Sequence, residues 1–185
     1  MAALYVPFTL AHGPTSYNEE RRIMGLDMHG WGLMLGVLPN ALIVAGLWTL
    51  RDQIAGGRRG ARAALTLACV ALLADAVANL VFRGLGAPFV LFLLAPATVA
   101  LAALIPPGTA RTRRWFAALG LALAAGLSLA LIPQETSDGF GGFRIFGAVT
   151  YGLGGLMWAL VGLTLAALAG PPRPVPPPSA SVRPA

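Results

Sequence analysis

The sequence predicts an all-α integral membrane protein, built as a bundle of about five transmembrane helices. Of the 185 residues, 57% are hydrophobic and only 11% are charged, whereas a soluble domain carries about 25% charged residues. The apolar residues fall into long runs, and about 20 consecutive apolar residues can cross the hydrocarbon core as a helix. The thirteen basic residues, all arginine, lie mainly at the ends of these runs.

Five apolar runs define the expected helices, with short polar segments between them. They occupy residues 30–50, 63–82, 87–105, 115–132 and 143–169. Residues 30–169 are therefore predicted to form one transmembrane domain, a size that suits a single domain. Residues 170–185 are rich in proline and are expected to be a disordered cytoplasmic tail.

Residues 1–29 are predicted to be an extracytoplasmic, interfacial segment that folds onto the bundle. The first eleven residues are apolar, but they are too short to span a bilayer and lack the basic leader and cleavage site of a secretory signal. Turn-forming residues follow, and Thr15 or Ser16 is expected to cap a short helix that has Glu19 near its first turn.

The first run, residues 30–50, combines interface anchors, a helix breaker and a contact row. Trp31 and Trp48 lie near its two ends, where tryptophan favours the membrane–water interface. Pro39 is expected to break the helix near its centre, because proline removes a hydrogen bond and clashes with the preceding turn. Small residues at four-residue spacing permit close helix approach, and this row consists of Gly32 and Gly36, continued by Asn40.

The later runs contain two further rows of small residues. The run 87–105 has Pro96 and Thr98 near its middle. In the run 115–132, an unbroken row at four-residue spacing predicts a buried contact face, formed by Ala118, Ala122, Gly126 and Ala130. The corresponding row in the last run is Gly155 and Ala159.

The distribution of arginines predicts the orientation in the membrane. With five spans, the first and third loops and the C-terminal tail lie on one side and contain nine arginines, while the other side contains four. Because arginine-rich segments stay in the cytoplasm, the N-terminus is predicted to be extracytoplasmic and the C-terminus cytoplasmic. Exclusive use of arginine is typical of a GC-rich genome. The expected location is the plasma (cytoplasmic) membrane of a bacterium, with several membrane passes.

Asp75 is the residue around which a site can be built. It lies close to the middle of the run 63–82, and a carboxylate in hydrocarbon is costly unless it is protonated, paired or hydrated. On a helix, Asn79 lies one turn beyond Asp75 on the same face, and Arg83 lies one turn further. At about 1.5 Å per residue, polar residues of other segments reach this depth or lie outward of it; they are Asn40, Thr98, Ser128, Thr150, Tyr151 and Arg144.

Three interpretations of these polar residues are open. In the first, Asn40, Asp75 and Asn79 only tie helices together by hydrogen bonds, each worth about 0.6 to 2 kcal/mol in a membrane. In the second, Asp75 forms the floor of an outward-opening cavity that involves Asn40, Asn79, Arg83, Thr98, Ser128, Tyr151 and Arg144. In the third, they form an oligomer interface. An aspartate, where asparagine would serve for packing, suggests that its titratable proton matters and makes Asp75 a candidate catalytic residue.

Several kinds of site are not expected. His12 and His29 both precede the first span, which excludes a haem held by paired intramembrane histidines. The one cysteine, Cys69, cannot build a disulfide framework or a metal cluster. Asp27 and His29 alone are too few ligands for a metal, and no cofactor is predicted. Nucleic acid is not an expected partner, because membrane topology accounts for the arginines.

Three functions follow from these interpretations. The first is a non-enzymatic protein that acts as an accessory subunit or binds a lipid-like molecule in the outward-opening cavity. The second is an intramembrane enzyme on an apolar isoprenoid or lipid substrate, with Asp75 as general acid or base. The third is a proton-coupled small transporter that works as a homo-oligomer. The implied partners are the lipid bilayer, a lipid-like ligand, and a membrane protein or a second copy of the chain.

Overall fold

The computed structural model describes residues 7–8, 22–81, 90–106, 110–131, 144–145 and 147–168. Within these residues the chain is almost entirely helical, and its one β feature is an isolated bridge between Ile23 and Leu26. The first five helices are α1 (Met28–Thr49), α2 (Arg51–Ala55), α3 (Arg59–Val81), α4 (Leu91–Leu104) and α5 (Ala110–Leu131). The last helix, α6, consists of a π-helical turn at Ala148–Leu153 and an α-helix at Gly154–Leu168.

Three of the described helices are long and apolar enough to cross a bilayer. They are α1, α3 and the stretch Ala148–Ala167 of α6, with 22, 23 and 20 residues. At about 1.5 Å per residue, even the shortest covers about 30 Å, the thickness of the hydrocarbon core. Helix α4 is apolar but shorter, and α5 has 22 residues but contains three arginines among its first five residues. The count of five spans and the orientation of the termini stay predictions.

Neighbouring helices run antiparallel, as the pairs of contacting residues show. Between α1 and α3, a side chain at Gly36 would meet Asn79, while Asn40 further along α1 contacts Asp75 earlier in α3. Between α4 and α5, Arg113 near the start of α5 contacts Ala102 near the end of α4. The two helices of each of these pairs therefore run in opposite directions.

The core lies between α3, α4, α5 and α6. Its most completely buried side chains include Leu65, Leu101, Phe116 and Val161. Phe116 meets Trp158 edge to face, with 6.5 Å between the ring centroids, a favourable geometry for aromatic pairs. The aromatic pair thus joins α5 to α6, within a core to which α3 and α4 also contribute.

The outer surface of the bundle is also apolar. Large hydrophobic side chains are exposed on every long helix, including Leu42, Val70, Leu121 and Leu163. A monomeric soluble protein rarely exposes apolar patches of this extent. The outer surface therefore matches a hydrocarbon environment better than water.

Two helices begin earlier than the sequence predicts, and one predicted loop contains a helix. Helix α3 begins at Arg59 and α5 at Ala110, each several residues before its apolar run, and α2 lies inside the predicted first loop. The apolar run marks the part that can contact lipid, whereas arginine and alanine are good helix formers and extend the helix beyond it. Asp52 on α2 forms an ion pair with Arg62 on α3, with 3.1 Å between the Asp52 Oδ1 and the Arg62 Nη2.

Pro39 does not break α1, contrary to the sequence-based expectation. The helix continues through a π-helical turn at Leu33–Val37, and Pro39 lies in the first turn of the α-helix that follows. In this turn the Leu38 N–H donates to the Leu33 carbonyl. A proline ring clashes with the carbonyl four residues earlier, and the wider turn is the local adjustment that accommodates it.

Trp31 is not an exposed interface anchor. It is buried, its ring packs against Phe8 at 4.9 Å, and its Nε1–H donates to the Ile23 carbonyl at 2.8 Å. Trp48, at the other end of α1, is exposed and lies under the Arg51 guanidinium at 4.8 Å. The described parts of the N-terminal segment therefore contact the bundle through Trp31.

The small-residue rows are only partly contact faces. Ala122 and Gly126 are buried as predicted, while Ala118 is half-buried. On α6, Ala159 is exposed, and the buried face runs instead through Gly154, Met157 and Val161. The side chain of Ala130 and all of residues 170–185 lie outside the described residues.

Candidate ligand cavity

A side-chain hydrogen bond joins the two most prominent intramembrane polar residues. The Asn40 Nδ2 on α1 donates to the Asp75 Oδ2 on α3 at 2.7 Å. Asn40 is buried and Asp75 is half-buried. Asn40 reaches Asp75 because the row that begins at Gly32 and Gly36 brings α1 close to α3. Asn40 is therefore the asparagine that binds the Asp75 carboxyl.

Asn79 contacts Asp75 from one turn further along α3, but it does not line the cavity described below. Its Nδ2 donates to the backbone carbonyl of Asp75 at 2.9 Å, and its amide lies against Gly36. The side chain is 7% exposed. Asn79 therefore sets the distance between α1 and α3, which is a positioning role.

A cavity of about 90 Å³ lies beside the Asn40–Asp75 pair. Four long helices and the start of α4 contribute to its wall, which is mostly apolar with a small polar part. The apolar lining residues are Leu35, Pro39, Ile43, Leu72, Val90, Leu94, Leu123, Gly154, Gly155 and Trp158. The polar lining residues are Asn40, Asp75, Thr150 and Tyr151. An apolar wall with a few convergent polar groups is the usual composition of a small-molecule site.

The π-helical turn of α6 brings two adjacent polar residues to the cavity wall. Thr150 and Tyr151 both line the cavity, although successive residues of an α-helix point about 100° apart. The Thr150 hydroxyl is buried and, within the described part of the chain, has no hydrogen-bond partner. Buried polar groups in folded proteins nearly always have a partner, and π-helical turns occur frequently at functional sites.

The remaining predicted site residues lie elsewhere. Thr98 is fully buried, but its hydroxyl donates to the Ala95 and Leu94 carbonyls of its own helix at 2.8 and 3.0 Å. Ser128 is exposed and donates to the Ala124 carbonyl at 2.9 Å. Arg144 is described but does not line the cavity. Arg83 lies outside the described residues.

The cavity occupies the half of the bundle opposite the arginine-rich junctions. Asp75 lies in the second half of α3, Val90 immediately precedes α4, and Thr150 lies in the first turn of α6. The junctions between α1 and α3 and between α4 and α5 are at the other end, since Arg58 donates to the Leu104 carbonyl at 3.4 Å across them. The polar groups of the cavity are thus separated from the basic end by apolar helix segments.

The size of the cavity limits what can enter it. Drug-sized ligands occupy clefts of about 300 to 1,000 Å³, and a cavity of about 150 Å³ holds a benzene ring. A cavity of about 90 Å³ can therefore hold a few water molecules or the end of a longer molecule. The Asp75 carboxyl and the Tyr151 hydroxyl could hydrogen-bond to the polar group at that end.

No metal site is formed by the described residues. No three histidine, cysteine, aspartate or glutamate side chains among them come together as metal ligands. Asp27 has a structural role instead, since its Oδ1 accepts from the Gly30 N–H at 2.7 Å and caps the start of α1. Cys69 is buried within α3 among core residues.

Comparison with known proteins gives no family for this chain: no protein-family model, no curated protein and no solved structure matches it.

Proposed function

We propose that this chain is a five-span protein of a bacterial cytoplasmic membrane that binds a lipid-like molecule by its polar end. The observation that carries this proposal is the cavity itself, whose mostly apolar wall contains the hydrogen-bonded Asn40–Asp75 pair and Tyr151. The ligand contributes a hydrogen-bonding end group to the polar side, while its apolar part extends along the helices toward the bilayer.

The arginine distribution supports an extracytoplasmic position for the cavity. The described arginines of the basic end include Arg51, Arg58, Arg59, Arg62, Arg111, Arg113 and Arg114. Arginine-rich loops face the cytoplasm, and the cavity lies in the opposite half of the bundle. A lipid-like ligand would then enter from the outer leaflet, consistent with an N-terminus on the outside.

The packing alternative, in which Asp75 only ties two helices together, accounts for the Asn40 bond but not for the cavity. A purely structural pair is best surrounded by close-packed side chains. Here Leu72, Leu123 and Trp158 leave a space of about 90 Å³ next to Asp75.

Intramembrane enzyme activity is the second candidate, and one observation favours it. Asp75 lies on the cavity wall, where its carboxyl is within reach of a bound end group, and a positioned carboxyl can act as general acid or base. Asp75→Asn separates the two candidates. If the protein is a binder, this variant retains the same molecule as wild type, because an amide still forms hydrogen bonds. If it is an enzyme, the variant accumulates a different molecule, the substrate that wild type converts.

The binding proposal is tested by filling the cavity from one face of α1. Ile43 lines the cavity, whereas its neighbour Leu42 is 65% exposed and points away from the bundle. Wild type, Ile43→Trp and Leu42→Trp are purified in one mild detergent, extracted with organic solvent and compared by mass spectrometry. We expect one small molecule to accompany wild type and Leu42→Trp in stoichiometric amount and to be lost from Ile43→Trp.

Thermal melting of the three proteins shows whether each is folded. If a folded Ile43→Trp variant retains the same molecule as wild type, the cavity is not its binding site and the proposal fails. If no molecule accompanies folded wild type above the level of bulk lipid, the proposal fails as well.

A further inference from the structure

A second depression lies at the opposite, arginine-rich end of the bundle, between α4 and α5. It is an open groove of about 460 Å³. On α4 it is lined by Val99, Ala102 and Ala103, and on α5 by Ala110, Arg113, Arg114 and Ala117. Successive members of each set are one or three residues apart and fall within about 100° of the helix circumference, so each set lies on one face of its helix. We propose that this groove binds one anionic phospholipid, with its phosphate on Arg113 and Arg114 and the start of an acyl chain on the alanines.

The orientation of Arg113 is fixed by the end of α4. Its Nε–H donates to the Ala102 carbonyl at 2.9 Å, and carbonyls in the last turn of a helix need such external donors. A guanidinium has five N–H groups, so this bond leaves the terminal Nη groups to bind another acceptor. Planar pairs of N–H groups match the oxygens of a phosphate.

The charge at this end is not neutralised by the protein within the described residues. Asp52 lies at the same end of the bundle, but its ion pairs are with Arg62 and Arg51. No described carboxylate lies within ion-pair distance of Arg113 or Arg114. Adjacent arginines repel each other, and an anion at the groove would relieve this repulsion.

The remainder of the groove suits an acyl chain better than water. Four alanines form its floor and leave a trough, because their side chains are short. Ala117 lies one turn beyond the arginines on α5, and Val99 lies one turn before Ala102 on α4, both further from the basic end of the bundle. From Arg113 to Ala117 the helix rises about 6 Å, which accommodates a glycerol unit and the start of one chain. A basic pocket between helices with an apolar extension is a recognised arrangement for anionic lipid headgroups.

The test titrates two lipids that differ only in headgroup charge. Detergent-purified protein is mixed with dioleoyl phosphatidylglycerol or dioleoyl phosphatidylcholine, and bound lipid is counted by native mass spectrometry. We expect one molecule of phosphatidylglycerol to bind in preference to phosphatidylcholine. An arginine that contacts the bound phosphate is expected to change the affinity about fivefold. Arg114→Gln should therefore weaken phosphatidylglycerol about fivefold, and the double variant Arg113→Gln/Arg114→Gln about 25-fold.

Matched controls separate a defined site from general attraction. Arg59→Gln removes one exposed arginine from the same end but outside the groove, and should leave the affinity within twofold. Ala103→Phe fills the groove and should abolish the preference for phosphatidylglycerol, while Ala124→Phe, at an exposed position of α5 outside the groove, should not. If the double variant fails to fold because it lacks the Arg113 bond to Ala102, the single variant Arg114→Gln decides the case.

Four results would overturn the proposal. They are equal binding of the two lipids, undiminished binding by folded Arg114→Gln, equal weakening by Arg59→Gln, and undisturbed binding by folded Ala103→Phe. Inorganic phosphate tests the other source of the same chemistry. If millimolar phosphate displaces the lipid completely and stabilises the protein equally well against heat, the groove is a site for a free anion and the lipid proposal is wrong.

Discussion

Gly126 on α5 lies directly against the side chain of Thr150 on α6, so closely that a Cβ atom on Gly126 would overlap the Thr150 hydroxyl oxygen. This contact allows α6 to approach α5 closely. The sequence row of small residues in α5 predicted a helix contact here, but not its partner.

Gly126→Ala is expected to destabilise the protein by about 1 to 3 kcal/mol, the usual cost of overpacking a tight contact. The added methyl group meets Thr150, including its backbone Cα, and α6 must shift. The matched control is Gly162→Ala on α6, where nothing lies within 4 Å of the new methyl group. It should be neutral or stabilising by up to about 1 kcal/mol, because alanine favours the helix.

The measurement for this pair is reversible unfolding in one detergent, followed by helical circular dichroism. Thr150→Ala in the Gly126→Ala background should recover part of the loss, since it removes the overlapping oxygen. Equal stabilities of the Gly126→Ala and Gly162→Ala variants would show that α5 and α6 do not meet at this point.

Asp75→Leu is expected to be less stable than Asp75→Asn by about 1 to 2 kcal/mol. Asparagine keeps an oxygen that can accept from the Asn40 Nδ2, whereas leucine leaves that buried donor unsatisfied. We therefore expect Asp75→Asn to remain within about 1 kcal/mol of wild type.

A double-mutant cycle with Asn40→Leu measures the Asn40–Asp75 contact itself. The coupling energy should be about 0.6 to 2 kcal/mol. Should Asp75→Leu melt at or above the temperature of wild type, Asp75 makes no net stabilising contact, and the proposed polar floor of the cavity is wrong.

Trp31→Phe is expected to loosen the segment that precedes α1. Phenylalanine keeps the ring contact with Phe8 but loses the buried bond to the Ile23 carbonyl, which contributes about 1 kcal/mol. Hydrogen exchange of residues 22–26 should accelerate about fivefold relative to wild type. Trp48→Phe, at a position that is 51% exposed, serves as the control and should leave this exchange unchanged. Unaltered exchange in Trp31→Phe would mean that the indole bond does not hold the segment.

The orientation is tested by labelling single cysteines in a Cys69→Ala background. Gln53→Cys lies in α2 at the arginine-rich end, and His29→Cys lies in the first turn of α1 at the other end; both positions are exposed. With intact cells and a membrane-impermeant maleimide, we expect His29→Cys to react and Gln53→Cys to react only after the membrane is permeabilised. The opposite pattern would reverse the topology and place the cavity toward the cytoplasm.

The sequence could predict the polar pair because polar residues are rare in apolar helices. Asp75 and Asn40 stand out in their runs, and their depths match when adjacent helices alternate in direction. It could not predict that Thr98 and Ser128 would lie outside the cavity. Their hydroxyls bond to backbone carbonyls of the preceding turn, and a residue that satisfies itself locally carries no information about tertiary partners.

The sequence also could not predict that the adjacent residues Thr150 and Tyr151 would both line one cavity. This arrangement depends on the π-helical turn of α6, which contains no proline to announce it. The helix ends were missed for a simpler reason. Hydropathy reports where a helix can meet lipid, and the arginine-containing turns at Arg59 and Ala110 continue the helix without contributing to that signal.

The wide turn at Leu33–Val37 also determines which side of α1 its buried residues occupy. The buried pairs of α1 recur every four residues, at 31–32, 35–36 and 39–40. In a regular α-helix, four residues advance about 400°, so such a repeat would drift by about 40° at each step and wind off its partner. A wider turn advances less per residue and cancels part of this drift. Local unwinding therefore lets a strict four-residue repeat remain in line with the straight face of a neighbouring helix.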